Sequence, residues 1–179
     1  MRLIIIYLLF STQVLAQQFY TNKGKISFFS EAPLEDISAV NENVSAIIDS
    51  QTGGFAFQVK IVEFTFPNSL MQEHFNESYL ESDKYPLSTF TGVIDNFSDL
   101  DLSNEQNLVV NGSLSMHGIS KVAQMKANAK MINDELHISS NFDVALKDYD
   151  IDIPKIMIYK IAETIAVTVE IKLSKRNNE

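Results

Sequence analysis

The sequence contains no cysteine and no tryptophan. Without cysteine there are no disulfides, no thiolate nucleophile, no cysteine-ligated metal and no lipid anchor on a cysteine after the apolar N-terminal run. Proline and glycine are sparse, with 4 and 6 residues, and no low-complexity tract, internal repeat or linker divides the chain. Cations are in deficit: 14 Lys and Arg face 23 Asp and Glu, a net charge of −9. Such a surface repels phosphate backbones and anionic headgroups, so nucleic acid is not an expected partner. Long apolar runs are missing everywhere except at the start. There Met1-Arg2 precede an uncharged stretch from Leu3 to Phe10, followed by Ser11-Thr12-Gln13 and Val14-Leu15-Ala16. A positive end, a short apolar core and small or aliphatic residues before Ala16 have the layout of a secretory signal peptide cut after Ala16. The run is shorter than the roughly 20 residues that span a bilayer. The expectation is residues 1–16 as signal peptide and 17–179 as one exported domain, periplasmic or secreted, and not an integral membrane protein.

What the chain does have is apolar bulk in alternation. Phenylalanine is present 12 times and tyrosine 6 times. Phe55, Phe57, Val59 and Ile61 alternate with Ala56, Gln58 and Lys60, the period of a strand. Val62, Phe64 and Phe66 continue in the opposite phase, which predicts a β-bulge near Ile61-Val62. Leu108 to Met116, Ala123 to Met131, Leu136 to Leu146 and Ile165 to Leu173 repeat the alternation, each with one mostly polar face, as in antiparallel sheet wetted on one side. Earlier strands are expected over Phe19–Ser30, near Ile37–Val40 and over Val44–Asp49. Thr52-Gly53-Gly54, His117-Gly118 and Asn133-Asp134 supply turns. One segment, Asn68 to Glu81, has helical spacing instead, with Asn68 or Ser69 placed to cap it between Pro67 and Pro86. Asp148 to Tyr159 stays ambiguous, because Pro154 argues against a central strand. The reading is all-β: an antiparallel barrel of about eight strands, a size able to hold one small ligand, with one short helix.

Catalytic chemistry finds no foothold. The three histidines, His74, His117 and His137, show no metal-ligand spacing, and Glu73-His74 lacks a second helical histidine. There is no G-x-S-x-G, and Gly53-Gly54 is a turn rather than a phosphate loop. Glu35-Asp36 and the Asp148/Asp150 pair read as solvated surface. No catalytic residue, metal site or cofactor is therefore assigned, and the chain is not expected to be an enzyme. The presumed inward faces mix Phe and Met with several Ala. On composition alone a filled interior and a ligand cavity both remain open.

Three stretches bear on that choice. HFNESYLESDKYPLSTFTG runs from His74 to Gly92, LVVNGSLSMHGISK from Leu108 to Lys121, and FDVALKDYDIDIP from Phe142 to Pro154. Tyr79-Leu80, Tyr85-Pro86 and Phe90 fill a helix-end pattern. Leu108, Gly112, Leu114, Gly118 and Lys121 fill an L-x-x-x-G-x-L-x-x-x-G-x-x-K pattern. Phe142, Val144, Leu146, Asp148, Tyr149 and Ile151 complete the third. In order and spacing the chain resembles the YceI-like family. That resemblance implies an extended lipocalin-like barrel, exported and non-catalytic, which binds a polyisoprenoid or isoprenoid quinone in its interior. The resemblance departs at Phe75, where the family often carries Arg, and at His74, one place after the usual histidine. Aromatic and Met residues on alternating faces give the candidate lining: Phe57, Phe64, Phe66, Leu70, Phe75, Phe90, Met116, Met125 and Phe142. The expected partner is an apolar lipid. The alternative is a filled barrel acting as an interaction or stress-response module. No residue selects an oligomeric state, and a dimer is compatible with the sequence.

Overall fold

The computed structural model describes residues 17–154 and 161–176. The expected signal segment 1–16, the Met157–Tyr159 stretch and residues 177–179 lie outside the described residues. Period-two alternation becomes eight strands: β1 (Gln18–Ser30), β2 (Ile37–Asp49), β3 (Gly54–Lys60), β4 (Leu87–Val93), β5 (Gln106–Met116), β6 (Ile119–Ile132), β7 (Glu135–Ala145) and β8 (Thr164–Lys175). Each pairs with its sequence neighbour, and β8 returns antiparallel to β1, so the sheet closes into a barrel. Closure pairs both sides of every strand and leaves no sheet edge exposed. The register places inward residues side by side: Phe28 opposes Val167, which opposes Phe142. Inside lie Val44, Ile48, Leu136, Ile171 and Leu173, all buried. Outward positions such as Lys126, Asn128 and Lys130 are exposed.

Two expectations change. Ile37–Val40 and Val44–Asp49 are parts of one strand, β2. The phase change at Ile61-Val62 is not a bulge, because β3 ends at Lys60. A 3₁₀ turn over Ile61–Glu63 follows, and Ile61 N–H donates to Pro86 O at 2.9 Å. Extended residues Phe64 to Phe66 then lie against β2 through reciprocal Val40–Thr65 backbone bonds of 3.1 and 2.7 Å. Bulges occur instead in β1, on either side of Gly24. Lys60 faces Leu87 in the β3–β4 pairing, so everything between them is one excursion across the barrel end. Its centre is α1 (Ser69–His74), continued by a π turn over Phe75–Tyr79 in which Leu80 N–H reaches Phe75 O at 2.9 Å. Asn68 caps the start, its Oδ1 accepting from Leu70 N–H at 2.9 Å. We call this end, with the 31–36 loop, the His117-Gly118 turn and the Leu146–Tyr149 3₁₀ turn, the mouth.

At the opposite end Asp49 holds the β2–β3 turn. Its Oδ1 accepts from Thr52 N–H at 2.8 Å, Gln51 N–H at 3.0 Å and the Thr52 hydroxyl at 3.0 Å. The Thr52 N–H above all holds this carboxyl below the ordinary carboxylate range. A depressed carboxyl stabilises the fold above its unfolded value and loses that contribution as pH falls through its folded value. Asp49→Asn is therefore expected to flatten the acid limb of a pH-stability profile, measured by urea midpoints below about pH 4; an unchanged limb would contradict this role. On the neighbouring strands β4 and β5, Gly92 and Gly112 are directly paired. A Cβ on Gly112 would lie 2.6 Å from the Phe90 ring and from Thr91 O, and one on Gly92 would lie 2.2 Å from Asn111 O. The missing side chains let the rings of Phe90 and Phe55, 5.1 Å apart, cover the sheet from within. Gly112→Ala is expected to destabilise by about 1–3 kcal/mol, the usual range for overpacking, in chemical denaturation.

Candidate functional site

The barrel and its mouth hold two partly open apolar chambers with no lining residue in common. The outer chamber, about 270 Å³, sits under the mouth excursion. Phe66, Leu70, Met71, Phe75, Tyr79 and Leu80 close it from the excursion side, while Phe28, Ile37, Leu146, Ile151, Ile161 and Ile165 form the barrel wall. The inner chamber, about 100 Å³, is bounded by residues of all eight strands, among them Ile26, Val44, Phe57, Phe90, Leu108, Met125, Phe142 and Val169. Between the chambers lies an aromatic cluster. The Phe28 ring stacks on Phe75 with centroids 5.6 Å apart and meets Phe64 at 5.5 Å and Phe66 at 5.8 Å. Phe75 in turn contacts Phe64 at 5.5 Å and Phe66 at 5.0 Å.

Of the residues singled out from sequence, Phe66, Leu70 and Phe75 border the outer chamber, and Phe57, Phe90, Met125 and Phe142 the inner one. Phe64 and Met116 border neither. Phe64 is buried behind Phe28 and Phe75, and Met116 packs at the mouth end against Ile61, Leu80 and their neighbours. Sequence reading passed over Phe28, Ile37, Met71, Ile161 and Ile165, which complete the outer wall. Phe28 sits two places after Ile26 on one face of β1, a signal short enough for the bulges around Gly24 to hide it.

Few polar groups reach the outer chamber: Ser30, Glu35, Asn68, His74 and the Tyr79 phenol. Ser30 is buried and accepts Ala162 N–H at 2.9 Å, and Asn68 is engaged as the helix cap. Burial pushes the Tyr79 phenol up from its ordinary value. Among the described residues no cluster of three or more His, Asp or Glu stands together as a metal ligand set.

The mouth is fastened by His117. The residue starts the β5–β6 turn at φ +51, and its side chain is only 9% exposed. Nδ1 lies 2.9 Å from Tyr149 O and Nε2 lies 3.0 Å from Glu81 Oε2. A carbonyl and an ionised carboxylate both accept, so both bonds form together only when both ring nitrogens carry hydrogen. The Tyr85 ring covers the imidazole edge to face at 4.6 Å, and Lys84 Nζ stands 3.8 Å from Glu81 and 4.7 Å over Tyr85. One side chain thus joins the β5–β6 turn, the end of the helical excursion and the 3₁₀ turn after β7. His117→Ala removes both bonds and leaves a buried carbonyl without its side-chain partner. The expected loss is about 1–3 kcal/mol in urea unfolding, with faster amide exchange at Ser82, whose N–H closes the excursion on Asn76 O at 2.8 Å; unchanged exchange there would rule out the fastening role.

The comparisons with known proteins agree with this geometry. A polyisoprenoid binding domain from Saccharophagus degradans implicated in plant cell wall breakdown superposes with a TM-score of 0.78 at 14% identity, over 90% of this chain and 99% of that one. BcnA of Burkholderia cenocepacia gives 0.70 at 13% identity, over 85% and 96%. The YCEI protein of Campylobacter jejuni gives 0.61 at 16% identity, over 78% and 85%. No curated protein matches the sequence. At these identities the structural likeness carries the fold. The family follows from the sequence itself, since the model of the YceI-like domain matches residues 10–173, and the chain belongs to the YceI-like family.

Proposed function

We propose that this protein is an exported, non-catalytic lipid-binding barrel that holds an apolar chain, of the polyisoprenoid or isoprenoid-quinone type, in its interior. The observation that carries the reading is the outer chamber: about 270 Å³ of space under the mouth of the barrel, lined mostly by apolar side chains. Space of this kind with few convergent polar groups suits an apolar ligand held by area burial, at about 25 cal/mol per Å². Family membership supports it, as does the polyisoprenoid-binding description of the Saccharophagus domain. The N-terminal layout supports export, and no helix of the described residues is long and apolar enough to cross a membrane. A filled interaction module is the second reading, favoured by the small inner chamber and the aromatic cluster beside it.

Mass spectrometry on natively purified full-length expression product tests the reading. The expected result is a polypeptide beginning at Gln17 and a stoichiometric apolar lipid in the organic extract. A folded protein that yields no lipid and takes up no quinone analogue would leave the interaction module as the better reading. Intact residues 1–16 would remove the cleaved signal peptide from the proposal.

A further inference from the structure

The two chambers lie at successive heights along the strands and share no lining residue. On β1, Ile26 borders the inner chamber and Phe28 the outer. On β8, Val169 borders the inner chamber and Ile165 the outer, while Val167 between them borders neither. Moving from Phe142 on β7 to Leu146 beyond it gives the same sequence, with Val144 in between. Val144 and Val167 are both buried, and Val167 opposes Phe28 across the β1–β8 ladder. Phe64 and Phe75 from the mouth excursion lay their rings against Phe28, on the outer chamber's side of that boundary. The partition is therefore built from both the barrel and its cap.

We propose that the stacked pair Phe28–Phe75 sets the length of apolar chain the barrel accepts, by stopping a chain in the outer chamber short of the inner one. The inference rests on the lipid-binding reading and adds a specificity determinant to it. The volumes support it: the outer chamber falls just short of the roughly 300–1,000 Å³ usual for small-molecule sites, and the inner one adds about 100 Å³ only if the two are joined. A chain that fits the outer chamber buries each added methylene until its end meets the rings. Beyond that length further methylenes stay outside, or the rings must leave their mutual contacts to admit them. The Phe28–Phe75 stack takes one ring from β1 and one from the excursion.

The test uses purified full-length protein and a homologous series of primary alcohols, octanol to octadecanol, displacing the apolar fluorophore N-phenyl-1-naphthylamine. For the natural sequence, affinity is expected to rise about fourfold per added methylene, then to level at a limiting length. Phe28→Ala and Phe75→Ala are expected to move that limit to longer alcohols, and Phe28→Leu and Phe75→Leu to do so with less risk to folding, which circular dichroism and thermal melting check. Val109→Ala, on the exposed outer face, is expected to leave the limit in place. A limit that stays put in folded Leu variants overturns the partition while leaving lipid binding intact, and so does affinity that climbs without a limit in the natural sequence. Failure of every alcohol to bind overturns the lipid-binding reading, and the partition with it.

Discussion

Everything in this fold depends on β8 pairing back onto β1. While the sheet is open, the inward or outward phase of each strand is a local matter. Once Phe19 stands opposite Lys175 and Phe29 opposite Ala166, every strand has two neighbours and a shift of one residue anywhere would turn a whole face inside out. Closure also fixes the volume enclosed, so the interior is full or empty according to the size of the inward side chains. Large residues fill the far end, where Ile48, Leu136 and Leu173 are fully buried. Smaller ones, Ala127 and Ser140, help leave space in the middle. Proteins exclude empty space at a cost in lost dispersion contacts, so an apolar void retained inside a closed barrel needs a reason.

The mouth is a product of one insertion. β3 and β4 are hairpin partners from Gly54–Val93 to Lys60–Leu87, and the chain between them leaves the ladder and returns beside it. Anchors at Ile61–Pro86, Val40–Thr65 and Glu81–His117 hold the excursion at its start, its flank and its end. Between these anchors it lays Phe66, Leu70, Met71 and Phe75 over the opening. The π turn at Phe75–Tyr79 places Phe75 on the rings of Phe28, Phe64 and Phe66. Such turns recur at functional sites because they shift a side chain off the regular helical stripe. The aromatic contacts, each worth about 0.5–1.5 kcal/mol beyond area burial, bind the cap to the barrel.

How much of this the sequence discloses follows from how regular each strand is. Over β6, β7 and β8 the alternation is long and unbroken, and the inward residues Met125, Phe142 and Val169 can be named from it directly. β1 hides its inward face, because the irregular pairing around Gly24 breaks the phase and leaves only Ile26 and Phe28 to show it. At Ile61-Val62 the phase change is visible, but two structures produce it, a bulge and a strand end. The choice depends on Pro86 O being within reach of Ile61 N–H, which is a tertiary fact. Alternation tells which side of the sheet a residue faces, and no more. Whether an inward ring borders space or another ring depends on its height along the barrel, so Phe66 and Phe64, two places apart on one face, end on opposite sides of that distinction. His117 could be placed in a turn from its Gly118 neighbour, but its partners Glu81 and Tyr149 are more than thirty positions away on either side, beyond any local pattern.

The polarity of the mouth bears on how a ligand would be selected. Asn68 reaches the outer chamber but its oxygen is committed to the helix cap, and the Ser30 oxygen receives Ala162 N–H. Phe75 offers no hydrogen bond and instead stacks its ring on Phe28. A polar headgroup entering here would meet only Glu35, His74 and the Tyr79 phenol besides these committed groups, and each hydrogen bond it does not regain costs about 1–3 kcal/mol. Such a group is better left at the rim, with the hydrocarbon inside. Discrimination between ligands then falls to the one property an apolar wall can measure, the length and bulk of the chain. On the proposed reading that property is measured where Phe28 and Phe75 meet.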